Sequence, residues 1–282
     1  MSININGNEY LYWKDAVKYL GIEETQFQNL SKEGKEIQWL KIKNKWHISK
    51  ENLDNWAKSY EYRSIFMIKD EYLKCLIFAI QSYYEGAQAK SDFLSGEKRE
   101  IGKFAHDIIM GKLAELAMAK FLYKYFNIKV QIEFSLINDP RIAFSEDIVK
   151  IESKYAIRNP RINIEIKSSN KTSVHLLIPK SSFEDMDRKC DVFVFIRMHL
   201  YMNHLIRFFR DYFSEELKDI IYQFEPIRAE IVGFAWRKDI IEKGDIITEL
   251  NGNRLRSGEN YHLISGQLRS SEDDWAELAK AL

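Results

Sequence analysis

The chain has 282 residues, 45% of them apolar and 30% charged, and its 42 Lys and Arg balance its 42 Asp and Glu. That is the composition of a globular protein, neither disordered nor fibrous, and the charge balance excludes a globally basic nucleic-acid binder while leaving room for a basic surface beside an acidic site. Two cysteines, Cys75 and Cys190, are too few for a disulfide scaffold or a Cys-rich zinc site and suit a reducing compartment.

In chain order, residues 13–20 predict a short amphipathic helix with Ala16, Val17 and Leu20 on one face, ended by Gly21. Residues 24–33 predict a second helix, with Phe27 and Leu30 turned to a core and Gly34 closing it. Residues 39–48 alternate and carry Lys-Asn-Lys at their tip, the pattern of a β-hairpin. Ser49 is placed as the N-cap of a third helix through Trp56 and Ala57, with Asn52 at its third position.

Helix, turn, helix, hairpin and helix in this order is the winged helix-turn-helix plan. Residues 11–22, LYWKDAVKYLGI, and 45–56, KWHISKENLDNW, resemble the excisionase-type winged helices. The resemblance covers nearly all of residues 10–58 and implies a DNA-binding module, residues 1–62, whose second helix enters the major groove. Thr25, Gln26, Gln28, Asn29 and Lys32 would project from that helix, with Gln and Asn suited to adenine edges. Lys32 and Lys35 at its end and Lys41, Lys43 and Lys45 on the hairpin are candidates for phosphate contacts. The first sixty residues carry nine lysines and eight acids, so this unit is basic only in its patterning. The bland alternative is a partner-binding winged helix with a solvated polar face. Trp39 and Trp46 are expected in the small core.

From residue 63 the pattern changes, and residues 63–282 are expected to form a second domain. Helices are predicted at 68–88 and 97–126, and strands at 130–134, 147–151, 161–168, 174–178, 191–196 and 229–234. Helical patterns interrupt them at 181–188 and 199–223; a strand at 261–268 and a helix at 272–282 close the chain. The mixture is an α/β reading. No run approaches the roughly 20 apolar residues of a membrane span, and the N-terminus lacks the pattern of a signal peptide, so a cytoplasmic protein without a membrane partner is expected.

The most informative stretch is residues 161–169, RINIEIKSS. In a strand Ile162, Ile164 and Ile166 share one face, and Asn163, Glu165 and Lys167 the other. Acid-x-Lys occurs five times in the chain, but only the Glu165 copy lies in a clean isoleucine alternation. An exposed ion pair is the simple alternative. Asp147 opens the preceding predicted strand, and a turn around Asn159-Pro160 would fold it back beside Glu165. Glu115, on the second long helix, has small and apolar neighbours one turn away, where an acid costs free energy unless a cation or donor satisfies it. Pairing with Lys112 or Lys120 would be the ordinary explanation.

A helical Glu, an Asp at a strand start and Glu-x-Lys on the next strand resemble the PD-(D/E)xK nuclease superfamily over roughly residues 100–200. The literal Pro-Asp is missing, since Glu146 precedes Asp147. The resemblance implies a restriction-endonuclease-like core, a mixed central sheet flanked by helices. Its implied catalytic residues are Glu115, Asp147, Glu165 and Lys167, the three acids holding Mg²⁺. Two or three carboxylates offer the hard oxygens Mg²⁺ prefers, and a neighbouring lysine can orient or deprotonate a water. The function expected is a Mg²⁺-dependent, type II restriction-like endonuclease of double-stranded DNA, acting at a specific sequence, modified or not, and as a homodimer. The alternatives are a structure-specific repair or recombination nuclease and a catalytically inactive DNA-binding regulator. No Walker loop, GxGxxG or HExxH is present, and His199 and His204 are expected at a helix surface or an interface rather than as ligands.

Overall fold

The computed structural model describes residues 2–85, 100–134, 147–152, 157–185, 189–213 and 224–282. The predicted helix 68–88 therefore ends, and the predicted helix 97–126 begins, outside the described residues, as does the stretch 214–223 of the predicted helix 199–223.

The chain starts with a hairpin that the predicted elements lack. Strands β1 (Ser2–Ile5) and β2 (Asn8–Tyr12) turn through Asn6 and Gly7, both left-handed, with φ of 53° and 84°. Asn-Gly is the strongest short hairpin signal there is. Helix α1 (Trp13–Leu20) ends at a left-handed Gly21, whose N–H reaches the Val17 and Lys18 carbonyls. Helix α2 (Glu24–Gln28) widens into a π turn, Asn29–Glu33. Strands β3 (Leu40–Ile42) and β4 (Lys45–Ser49) form the expected hairpin around left-handed Lys43 and Asn44, and the sheet order is β1-β2-β4-β3. Ser49 caps α3 (Lys50–Tyr62), accepting from the Asn52 N–H at 3.2 Å. Phe27, Leu30, Ile37, Ile48, Leu53 and Trp56 fill the small core. Trp39 packs edge-on against Trp46, which stays 46% exposed.

Only Arg63 separates α3 from β5 (Ser64–Met67), which already belongs to the central sheet. Then come α4 (Lys69–Tyr84), α5 (Ile101–Phe126), β6 (Lys129–Gln131), β7 (Lys150–Glu152), β8 (Ile157–Arg158), β9 (Ile164–Asn170), β10 (His175–Pro179) and α6 (Lys180–Glu184). The rest is β11 (Val192–Met198), α7 (His204–Phe213), β12 (Ile227–Trp236), α8 (Arg237–Lys243), β13 (Asp245–Ile247), β14 (Glu249–Leu250), β15 (Asn253–Arg254), β16 (Asn260–Ile264) and α9 (Glu272–Ala281). The elements from 237 to 254, together with β5 and β8, have no predicted counterpart.

The central sheet runs β5-β12-β11-β9, antiparallel at its first two joints and parallel between β11 and β9. Alternation along β11 splits the core. Val192, Val194 and Ile196 join the layer containing α4, α5 and α9, while Phe193 and Phe195 pack against Leu176, Ile178 and Leu263 of the second layer, where β10 pairs with β16. The protein is therefore of mixed α/β class, with helices on one face of a mixed sheet and a smaller sheet on the other. Among the described residues, no helix is long and apolar enough to cross a membrane.

Candidate active site

Strand β9 is the edge of the central sheet, so only one of its sides is paired. Toward β11, Glu165 stands opposite Phe193 and Lys167 opposite Phe195. Two residues apart, Glu165 and Lys167 share a face as the isoleucine alternation predicts, and they form an ion pair, both half-buried. On the open side, the Ile166 N–H donates to the Asp147 carboxylate at 2.5 Å. Asp147 thus lies beside the strand, between Glu165 and Lys167.

The route that brings it there differs from expectation. Strand β7 starts at Lys150, leaving Asp147 in the preceding loop, and it pairs with β6 and β8 rather than with β9. The predicted strand 130–134 is likewise only Lys129–Gln131. Asp147 reaches β9 through its side chain, taking the backbone donor a neighbouring strand would otherwise take.

Glu115 approaches from α5, which packs across β9. It is 8% exposed, and Lys112, one turn earlier, donates to it at 2.7 Å. Lys120 is engaged elsewhere, with Glu71 and the Phe66 carbonyl. Burial, with the nearby Asp147 charge adding to it, pushes the Glu115 carboxyl up to about 8. Burial also raises Asp147, to about 6; the Ile166 N–H opposes this, Glu165 adds to it, and Lys112 and Lys167 oppose it. Asp147 is the member that feels Glu165, Lys112 and Lys167, and Glu115 in turn feels Asp147. Lys112 belongs to the group too, and its i, i+3 spacing from Glu115 was the signal for it.

Asp147 thus stands between two ion pairs at this sheet edge, Lys112–Glu115 on the α5 side and Lys167–Glu165 on the face of Phe193 and Phe195. Glu115 and Asp147 hold protons more tightly than usual, chiefly because they are buried. Oxygen-only donors in that state fit a hard divalent cation. The site is not a closed cage: among the described residues, no three His, Cys, Asp or Glu side chains already stand at ligating distance of one another. Glu115 turns to Lys112 and Glu165 to Lys167, so both ammoniums occupy positions a cation would contest.

The candidate nucleic-acid residues divide. Thr25, Lys32, Lys35, Lys41, Lys43 and Lys45 are exposed, with Lys32 over the Trp39 ring and Lys41 over the Trp46 ring, each at 5.9 Å. Gln28 is half-buried and donates to Glu24 at 3.2 Å. Gln26 is 4% exposed, and Asn29 donates to the Thr172 carbonyl at 3.0 Å, so these two turn inward rather than to a free face. The reason is that α2 docks on the turn after β9. Glu23 pairs with Lys171 at 2.6 Å and Val174 enters the small core.

A second charged cluster joins the two halves of the chain. Arg197, fully buried on β11, pairs with Glu36 and with Glu230, the latter at 3.0 Å. Arg63 lies 3.4 Å from Glu230 and 3.9 Å from Glu36. The Gly266 N–H also donates to the Gly34 carbonyl at 2.7 Å, an approach so close that a side chain at Gly266 would collide. The expected boundary at 62/63 therefore falls inside a bonded region. The two cysteines are free and buried, and burial pushes each thiol up to about 12, which makes both inert at neutral pH.

No protein-family model matches the sequence, and no curated protein and no solved structure matches the chain.

Proposed function

We propose that this protein is a Mg²⁺-dependent endonuclease of the PD-(D/E)xK restriction type, hydrolysing phosphodiester bonds of double-stranded DNA. One observation carries the reading: Asp147, 18 residues before Glu165 in the chain, bonds to the backbone of β9 between Glu165 and Lys167, within electrostatic reach of Glu115. Those are the four residues, in the same order, that the superfamily resemblance implies. The parallel return from β9 to β11 through α6 and the helix α5 behind the sheet also agree with such a core.

Asp147 and Glu165 would hold the metal, with Glu115 outside them. Bound Mg²⁺ supplies charge neutralisation at the phosphoryl oxygens and acidifies a water. The chain's own residues do the positioning. The Ile166 amide fixes the Asp147 carboxylate against the strand, so its direction costs nothing further at the moment of reaction. The Lys167 ammonium, next to Glu165, is placed to donate to the attacking water and hold it in line with phosphorus. Lys112 holds Glu115 to one side and lowers its tendency to keep a proton. The exposed lysines Lys35, Lys41, Lys43 and Lys45 would contact backbone phosphates, and base reading by the winged helix falls to Thr25, Gln28 and Lys32. A homodimer would supply the second cut, and the reduced cysteines suit a cytoplasmic setting.

The test is incubation with Mg²⁺ and a panel of unmodified and methylated plasmids, followed by sequencing of the cut ends. Discrete ends support a restriction-type enzyme. Cutting of flaps or junctions alone points to a repair or recombination nuclease, and intact DNA throughout overturns the enzyme.

A further inference from the structure

Cross-strand pairing in the β3–β4 hairpin sets Trp46 opposite Lys41, and Trp39, two residues before Lys41, shares their face. That face begins in the small core. Buried Phe27 touches Trp39, ring centroids 5.9 Å apart, and Trp39 meets Trp46 edge-on at 5.6 Å. Trp46, two residues past the left-handed Asn44 of the turn, is the outer end of this row, and nearly half of it reaches solvent.

A single exposed apolar side chain is ordinary. The setting of this one is not. Lys32 stands over Trp39 and Lys41 over Trp46, each at 5.9 Å, and Lys43 and Lys45 frame the tip, all four exposed. The acids nearest to Lys32 in the chain are engaged elsewhere: Glu33 faces His175 at 3.6 Å, and Glu36 pairs with Arg197. Among the described residues, no ion pair joins Lys32, Lys41, Lys43 or Lys45 to a carboxylate.

An open indole surface among ammonium groups suits a partner that carries flat rings and negative charge in alternation, which is the chemistry of a nucleic-acid strand. How the ring is held decides which part of the strand it takes. Trp46 is braced against Trp39, with about half of its surface inside the fold, so it is a platform and not a wedge that slides between paired bases. A platform receives a base that is already out of the duplex stack. We propose that Trp46 stacks one unpaired base of a DNA strand, with Lys41 and Lys32 taking phosphates on either side of it. This extends the DNA-binding half of the reading above and does not depend on the carboxylate edge cutting anything.

The experiment uses the full chain in EDTA, so that no cleavage enters. Fluorescence anisotropy follows binding to labelled DNAs at fixed salt: a thymine-only single strand, a fully paired duplex, and the same duplex with a bulged base. Trp46→Leu keeps apolar bulk against Trp39 without a flat face, and Trp46→Phe keeps a flat face; thermal melts check that both are folded. Wild type is expected to bind the single strand and the bulge. Trp46→Leu should bind both about fivefold or more weakly, with its affinity for the paired duplex within about twofold of wild type. Trp46→Phe should retain most of the affinity, a difference that a purely structural role of the side chain would not produce. Lys41→Gln should weaken every DNA, and wild-type affinity in that variant would overturn the phosphate assignment. An unchanged Trp46→Leu, an equal loss on paired and unpaired DNA, or a Trp46→Phe as weak as Trp46→Leu overturns the stacking. Binding of the paired duplex alone overturns it too, while leaving the nuclease reading in place. Absence of all DNA binding overturns both and assigns the ring to a protein partner.

Discussion

The molecule holds two clusters of buried charge, and their difference is chemical. At Arg63, Arg197, Glu36 and Glu230 two cations face two anions, with the Glu230 side chain fully buried and that of Glu36 nearly so. Burial would raise Glu36, but Arg197 and Arg63 hold it below the ordinary carboxylate range. Burial likewise works against the Arg197 charge, yet Glu230 and Glu36 drive its pKa upward. At β9 three acids face two lysines, and Glu115 and Asp147 shift the other way, toward keeping protons. A cluster neutral in itself fastens the fold. A cluster with more acids than cations, at an open sheet edge, suits the metal proposed for it.

The comparison breaks most visibly in activity. Alanine at Asp147, Glu165 or Lys167 is expected to lower the cleavage rate by about a thousandfold or more. Glu165→Ala and Lys167→Ala should leave the urea midpoint near wild type, since both point away from the isoleucine core, whereas Asp147→Ala also takes the acceptor from the Ile166 N–H. Lys167→Ala cutting at the wild-type rate would dissolve the site. Glu115→Ala should keep part of its rate when Mn²⁺ or excess metal is supplied, because Glu115 feels Asp147 and stands outside it.

Arg197→Ala should do the reverse. It leaves Glu36 and Glu230 buried with only Arg63 nearby, and a loss of about 3–5 kcal/mol is expected in urea unfolding. An unchanged midpoint would show that the balanced cluster holds nothing together. Removing residues 1–60 takes away Glu36 by another route and should also destabilise the remainder.

A smaller effect distinguishes the clusters by pH. In metal-free protein Glu115 titrates near 8, above its unfolded value of 4.5. The native state therefore keeps a proton that the unfolded chain has lost in that window. Stability is full below pH 4.5 and falls as pH rises toward 8, by an amount on the order of 1–4 kcal/mol. Glu115→Gln, with a neutral side chain of the same shape, should flatten that slope in melts at pH 5, 6.5 and 8. A slope that persists unchanged in the variant would remove Glu115 from the account.

The smallest effect lies on the β3–β4 hairpin. Single alanines at Lys41, Lys43 or Lys45 should weaken DNA binding a few fold for every sequence and reduce the salt slope by about 1 each. Gln26→Ala should leave discrimination between duplexes unchanged, since that side chain faces inward. A changed preference would mean that α2 undocks to bind.

What was legible in the sequence follows from local physics. The isoleucine alternation put Glu165 and Lys167 side by side, Gly21 ended α1, and Ser49 capped α3, because each depends on residues within one turn or one strand. Asn29 turns away from the expected face because the turn it docks on lies more than 140 residues away, and Gln26 because it turns in toward Tyr60 of α3. Asp147 was assigned to the right neighbour through the wrong connection, since a side-chain bond to an edge strand leaves no periodic trace. Two further signals are present in the sequence. Asn6-Gly7 marks the first hairpin, and Arg197, alone in the apolar run of β11, announces a buried counter-charge.

The most direct test of the central claim is a titration of the full chain with Mg²⁺, and separately Mn²⁺, at pH 7, following the protons released. A cation that takes up Asp147 and Glu165 lowers the proton affinity of the neighbouring Glu115, so saturable binding with net proton release is expected in wild type. Both should be lost in Asp147→Asn. Binding without proton release, or release that survives in Asp147→Asn, would contradict the assignment of this acid-rich edge as the metal site.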